Sequence, residues 1–137
     1  HLQAHEGEGK EFVFPQLTAG KQIFYRNMPT FSTRDVVAYS PIPADDKATY
    51  GVMLQLNKGA KQRLSSISTD NRGQYLLAIV NGTVRDAVVI DRTVNDGMLV
   101  IWQRVTAQEI QRADTMMPRI GQNPKEWKEQ QKKNKKK

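Results

Sequence analysis

Two apolar runs, Tyr75–Val80 and Thr83–Ile90, meet at Asn81-Gly82, and this arrangement constrains the chain more than any other feature. A two-residue connection between antiparallel strands favours a type I′ turn, whose central residues both take positive φ. Asparagine and glycine adopt that backbone at the lowest cost. Strands over 75–80 and 83–90 are therefore expected to form a hairpin, with Asn81 and Gly82 turning the chain rather than doing chemistry. Asn81-Gly82-Thr83 also satisfies the glycosylation sequon, but the tight turn accounts for these residues without sugar.

Around the hairpin the signals run strand, helix, strand, strand, strand, helix. YGVMLQL (50–56) alternates Val52, Leu54 and Leu56, the period of a strand buried on that face. Asn57 is placed to cap a helix on which Ala60, Leu64 and Ile67 recur at helical spacing, and the stretch Asp70 to Gly73 ends it. MLVIWQR (98–104) reads as another strand, with Trp102 in or near the core. Thr106 and Glu109 make a capping box for TAQEIQRADTMM, which Pro118 and Gly121 close. Upstream, Phe12–Phe14 and Lys21–Arg26 read as short strands around the turn-rich 15–20. Thr33, with Ser32 as the rival cap, opens a helical turn through Val36–Tyr39 that Pro41 and Pro43 stop. Such an order predicts an α+β fold: a ferredoxin-like sandwich, with an antiparallel sheet carrying two helices on one face.

The 137 residues predict a single domain over 11–121. Residues 1–10, polar and glycine-interrupted, are expected to be a disordered lead-in, and 122–137 a basic disordered tail. Charge is concentrated in that tail. The chain carries +7, but its last thirteen residues hold seven Lys and two Glu, leaving +2 on the other 124. A nucleic-acid-binding domain carries its basic stripe on the fold itself, so the balanced body argues against nucleic acid. The tail is read either as solvated or as an anionic-surface contact through Trp127, Lys128, Lys132, Lys133, Lys135, Lys136 and Lys137.

Residue types narrow the chemistry. The absence of cysteine excludes disulfides, zinc–thiolate sites and a Cys nucleophile. His1 and His5, the only histidines, stand in the glycine-interrupted end and are read as a terminal remnant rather than a metal site. Asp45, Asp46, Asp86, Asp91 and Asp96 fall at loops and turns, where carboxylates cap backbone N–H groups. No glycine-rich phosphate loop is present. No catalytic residue, metal site or cofactor is therefore expected, and no enzymatic activity. The chain starts at His1 and contains no run of about 18 apolar residues, so an N-terminal signal or membrane anchor is expected to lie outside it.

LNKGAKQRLSSISTDNRGQYLLAIVNGTVRDAVVIDRTV resembles the periplasmic head domain (P1 type) of SecD, a family of protein-export membrane components. Leu56, Gly59, Ala60, Asn71, Gly73, Leu77, Ala78, Ile79, Val80, Gly82, Val84 and Ile90 fit that family's pattern. FSTRDVVAY and TAQEIQRAD are similar to its short preceding segment and its closing helix, so the likeness spans about residues 30–117. The turn after Val80 is one residue shorter than the family's, and Val88-Val89 stands in place of its Pro-Val. The resemblance implies a non-catalytic, extracytoplasmic protein-interaction module of the bacterial cell envelope. It would act in protein export or envelope assembly, with other proteins as partners. The family's transmembrane helices are not in this chain, which implies an excised or stand-alone head, and the lysine tail favours the second. The alternative is an independent envelope- or appendage-associated scaffold that oligomerises, its tail touching anionic lipid or a partner. An edge strand such as 98–104 would then serve by β-augmentation. A nucleic-acid binder through the tail, and a hydrolase using the loop acids, complete the range.

Overall fold

The computed structural model describes residues 1–135. Its elements are β1 (Val13–Thr18), β2 (Lys21–Arg26), β3 (Val36–Pro43), β4 (Tyr50–Leu56), α1 (Lys58–Asp70), β5 (Tyr75–Val80), β6 (Thr83–Val89), β7 (Met98–Val105), α2 (Ala107–Met116) and α3 (Pro124–Lys135). Strands pair antiparallel as β1-β2, β3-β4-β7 and β5-β6. The fold is α+β. Alternation along β4 puts Val52, Leu54 and Leu56 on one face of the three-stranded sheet. There α1 brings Ala60 and Leu64 against Leu56 and Leu99, and α2 brings Ile110 against Val52 and Val105. The caps are as the sequence suggests: Asn57 Oδ1 accepts from Ala60 N–H at 2.9 Å, and Thr106 Oγ1 from Glu109 N–H at 3.1 Å. On α1 the buried position is Ser68 rather than Ile67, which is half-buried. Ser68 Oγ is satisfied there, accepting from Val94 N–H at 2.8 Å and donating to Ser65 O at 3.1 Å.

The expected single ferredoxin-like sheet is replaced by a split one. β6 runs beside β7, but no backbone ladder joins them. The cause lies in β7, where Trp102, Gln103 and Arg104 oppose only Gly51 of β4 and Arg104 takes φ of 69°. Side chains of β6 occupy the gap: Asp86 Oδ2 accepts from Trp102 N–H at 2.9 Å, and Arg85 Nη1 donates to Arg104 O at 2.6 Å.

Three other expectations are corrected. The lead-in is ordered: Leu2 is 2% exposed, and residues 1–4 are zipped between β2 and β5. Ala4 N–H and Arg26 N–H bond Phe24 O and Leu2 O on one side, and Gln3 N–H and Leu77 N–H bond Tyr75 O and His1 O on the other. These are main-chain bonds, which leave no mark on side-chain pattern. The helical turn is shorter and earlier, a 3₁₀ turn over Thr33–Asp35 with Ser32 N–H bonded to Asp35 Oδ2 at 2.9 Å. Residues 36–43 form β3 instead. This is an edge strand, and the ladder alternation turns the N atoms of Pro41 and Pro43 outward, where no N–H is needed. Last, the tail is a helix, α3, over Pro124–Lys135. Asn123 Oδ1 caps it, accepting from Lys125 N–H at 2.9 Å, and Pro124 sits at the first helical position.

Candidate functional site

An apolar cleft of about 1200 Å³ opens on the helix-bearing face of the sheet. Leu54 and Ile101 form its floor, and Leu76, Ala78, Val80 and Val88 of the β5-β6 hairpin its opposing wall. The hairpin stands away from β7 because the bulge and the Asp86 and Arg85 bridges replace strand pairing. Its apolar side chains therefore stay half-buried instead of closing onto the sheet. A space of this size exceeds the roughly 300–1,000 Å³ usual for small-molecule pockets and suits a run of side chains.

Polar clusters hold both ends. At one, Glu109 Oε2 accepts from Arg85 Nη2 at 3.0 Å and from Asn81 Nδ2 at 2.6 Å, tying the hairpin turn to the start of α2. Asn81 thus fastens the turn as well as forming it, with φ of 50° at Asn81 and 75° at Gly82. The Arg85 and Glu109 side chains are only 13% and 14% exposed, so removing either partner would leave the other's charge in a largely water-free site. At the other end, loop 91–97 is tied to α1 by Ser65 Oγ to Asn95 Oδ1 at 2.6 Å and by the Thr69–Thr93 hydroxyl pair at 3.0 Å.

Burial works to raise the Glu109 pKa, but the Thr106 N–H, Asn81 and the Arg85 charge outweigh it and hold the carboxyl below its ordinary 4.5. Asp114 is also held low, first by its hydrogen bonds from Arg119, against a smaller opposing effect of burial. In both cases the folded chain binds fewer protons than the unfolded chain. Their stabilisation is complete above the unfolded values and is lost as pH falls through the lower folded ones. Melting temperature should therefore fall on acidification below about pH 4.5, and Glu109→Gln should flatten that dependence. A pH–stability curve identical in the variant would remove Glu109 from this account.

Both strands bordering the cleft have free edges. Leu56 N–H bonds Gly97 O, so the ladder alternation points residues 97, 99 and 101 at β4, and the N–H groups of Met98, Val100 and Trp102 away from it. Asp96 Oδ1 takes that of Met98 at 3.0 Å and Asp86 that of Trp102. Val100 lies between them, and no strand pairs with this edge among the described residues. On β6, Ile90 N–H bonds Gln74 O, which turns Val89 to the far side in the same way.

Of the carboxylates, Asp46 accepts from Ala48 N–H and Thr49 N–H at 2.9 and 2.8 Å. Asp86 and Asp96 hold β7. His1 Nδ1 meets Arg26 O at 2.7 Å, and among the described residues no group of three or more His, Cys, Asp and Glu comes together. Trp102 is 57% exposed, outside the core expected for it. Trp127 turns inward and donates from Nε1 to Asp114 O at 2.9 Å. Lys128, Lys132 and Lys133 are exposed on α3, while the Lys135 side chain, Lys136 and Lys137 lie outside the described residues. The structure thus separates the tryptophan from the lysines. The cleft and its Arg85–Glu109 closure were missed from sequence, where Glu109 shows only as the second half of a capping box.

No protein-family model matches the chain, and no curated protein does. Solved structures do. One is of SecDF, described as a membrane component that enhances protein export, with a TM-score of 0.51 and 20% identity over 61% of this chain and 38% of that one. Another is of SecDF in its super-membrane-facing form, with the same TM-score, identity and coverage of this chain, and 11% of that chain. This chain spans well under half of either structure. No helix among the described residues is long and apolar enough to cross a membrane. Over three-fifths of its length, then, the chain has a fold similar to part of SecDF.

Proposed function

We propose that the chain is a non-catalytic protein-interaction module of the export or envelope-assembly kind, working outside the cytoplasm. In this reading the cleft receives an extended segment of another polypeptide. The observation that carries it is the pair of free edges, β6 and β7, bordering a roughly 1200 Å³ apolar space. An added strand would bond the main-chain groups of Val100 and Val89, and its alternate side chains would enter the cleft. Sequence tolerance would follow, because main-chain bonds give the affinity and the apolar walls accept many side chains. The likeness to SecDF supports an export setting for such binding.

Val100→Pro is the discriminating variant. It removes an N–H on the free edge and leaves the ladder with β4 intact, so the fold should survive. Fluorescein-labelled α-lactalbumin, reduced, carboxymethylated and unfolded in buffer, should gain fluorescence anisotropy on binding. The affinity should be at least tenfold weaker with Val100→Pro. Equal binding by Val100→Pro, at unchanged circular dichroism, would defeat strand addition at β7.

A further inference from the structure

We infer that α3 is a rigid electrostatic platform that lays the folded body on an anionic lipid surface. Lys125, Lys128 and Lys132 recur at i, i+3 and i+7, which puts them on one side of the helix, and with Lys133 they are exposed. The opposite tilt of the helix is fixed by Trp127, whose Nε1 bonds Asp114 O at 2.9 Å, and by Gln131 one turn on, also half-buried. Asp114 is in turn held by Arg119 at 3.0 and 3.1 Å and by Tyr39 Oη at 2.6 Å. The lysine stripe therefore moves with the body and does not trail on a flexible leash.

Charge complementarity selects the partner class. The body without the final thirteen residues carries only +2, so the fold itself adds little net attraction for a nucleic-acid strand. Single-stranded nucleic acid is held by aromatic platforms beside basic residues. The only aromatic of α3 is spent on the latch. What remains is a short line of lysines, point charges suited to a diffuse anionic plane. Glu126 and Glu129 on the same helix limit the attraction, so contact is reversible and salt-dependent.

Each lysine near an anionic bilayer multiplies partitioning about fivefold, so replacing four should lower it on the order of several hundredfold. The test is flotation of the full chain with phosphatidylcholine vesicles and with mixed phosphatidylcholine–phosphatidylglycerol vesicles. Binding to the mixed vesicles alone is expected, lost when salt rises from about 0.1 to about 1 M and the screening length shrinks from about 10 to about 3 Å. The variant K125Q/K128Q/K132Q/K133Q should fail to float while keeping its melting temperature, since all four side chains are exposed. Trp127→Ala should keep the lysines but lose their fixed orientation: flotation persists, while protection of the body's amides on vesicle binding becomes uniform instead of confined to the α3 side. Binding unaffected by the four glutamines, equal binding to phosphatidylcholine alone, or full displacement by an equal charge of DNA would each overturn the assignment.

Discussion

Gly51→Ala should destabilise the fold by at least about 3 kcal/mol, the upper range for forcing extra volume into a packed site. A Cβ at this position would sit 2.5 Å from Ile101 O and 2.8 Å from Trp102 O, both main-chain atoms that no rotamer change can move. Relief requires shifting β7 at its bulge, which is where Arg85 and Asp86 hold it. Against a typical total of about 5–15 kcal/mol, such a loss should be plain in a urea titration. Gly82 supplies the contrast. A Cβ there meets nothing within 4 Å, so Gly82→Ala should cost only the strain of a left-handed backbone, about 1–2 kcal/mol. An alanine at Gly51 that costs no more than one at Gly82 would refute the close approach of β4 and β7.

Tyr39→Ala should cost about 3–5 kcal/mol, as for other large aromatic truncations. The ring is 1% exposed in the cluster with Val52, Val105 and Ile110, and its single hydroxyl proton goes to Asp114 Oδ1 at 2.6 Å, with Ile110 O also within reach at 3.0 Å. Tyr39→Phe keeps the ring and should cost about 1–2 kcal/mol, since Asp114 retains Arg119. The phenol also has a pH signature. Burial first, then the Asp114 hydrogen bond and charge, push it up from 10.0 to about 12. Unfolding therefore releases a proton in alkali, and stability that is complete below pH 10 should fall as pH rises through about 12. Denaturation midpoints for the tyrosine and phenylalanine chains should converge over that interval; parallel curves would place the hydroxyl in water.

Elements with a local chemical cause were legible before the structure. Asn81-Gly82 carries its own turn geometry, Asn57 and the Thr106–Glu109 pair carry their own caps, and the alternation of Val52, Leu54 and Leu56 names its buried face. The α3 helix was not read: the polar composition of 122–137 pointed to disorder, although Asn123-Pro124 followed by Glu126 is a local helix start. Residues 1–4 left almost nothing to read, because Leu2 is one apolar residue in a polar run and the strand is held by main-chain bonds. The cleft was out of reach for a related reason. It exists because three residues of β7 face one glycine of β4, and register shifts are not written in hydrophobic period.

Strand addition between β6 and β7 must bond the outward N–H groups of Val100 and Val89, and amide hydrogen exchange reads these two directly. In the free chain both should exchange faster than Leu99 and Ile101, which face β4. With unfolded carboxymethylated α-lactalbumin present, Val100 and Val89 should slow by at least about tenfold, in alternation with their already protected neighbours. Binding that leaves these two amides fast, or that protects only surface far from the cleft, would rule out strand addition at β6 and β7.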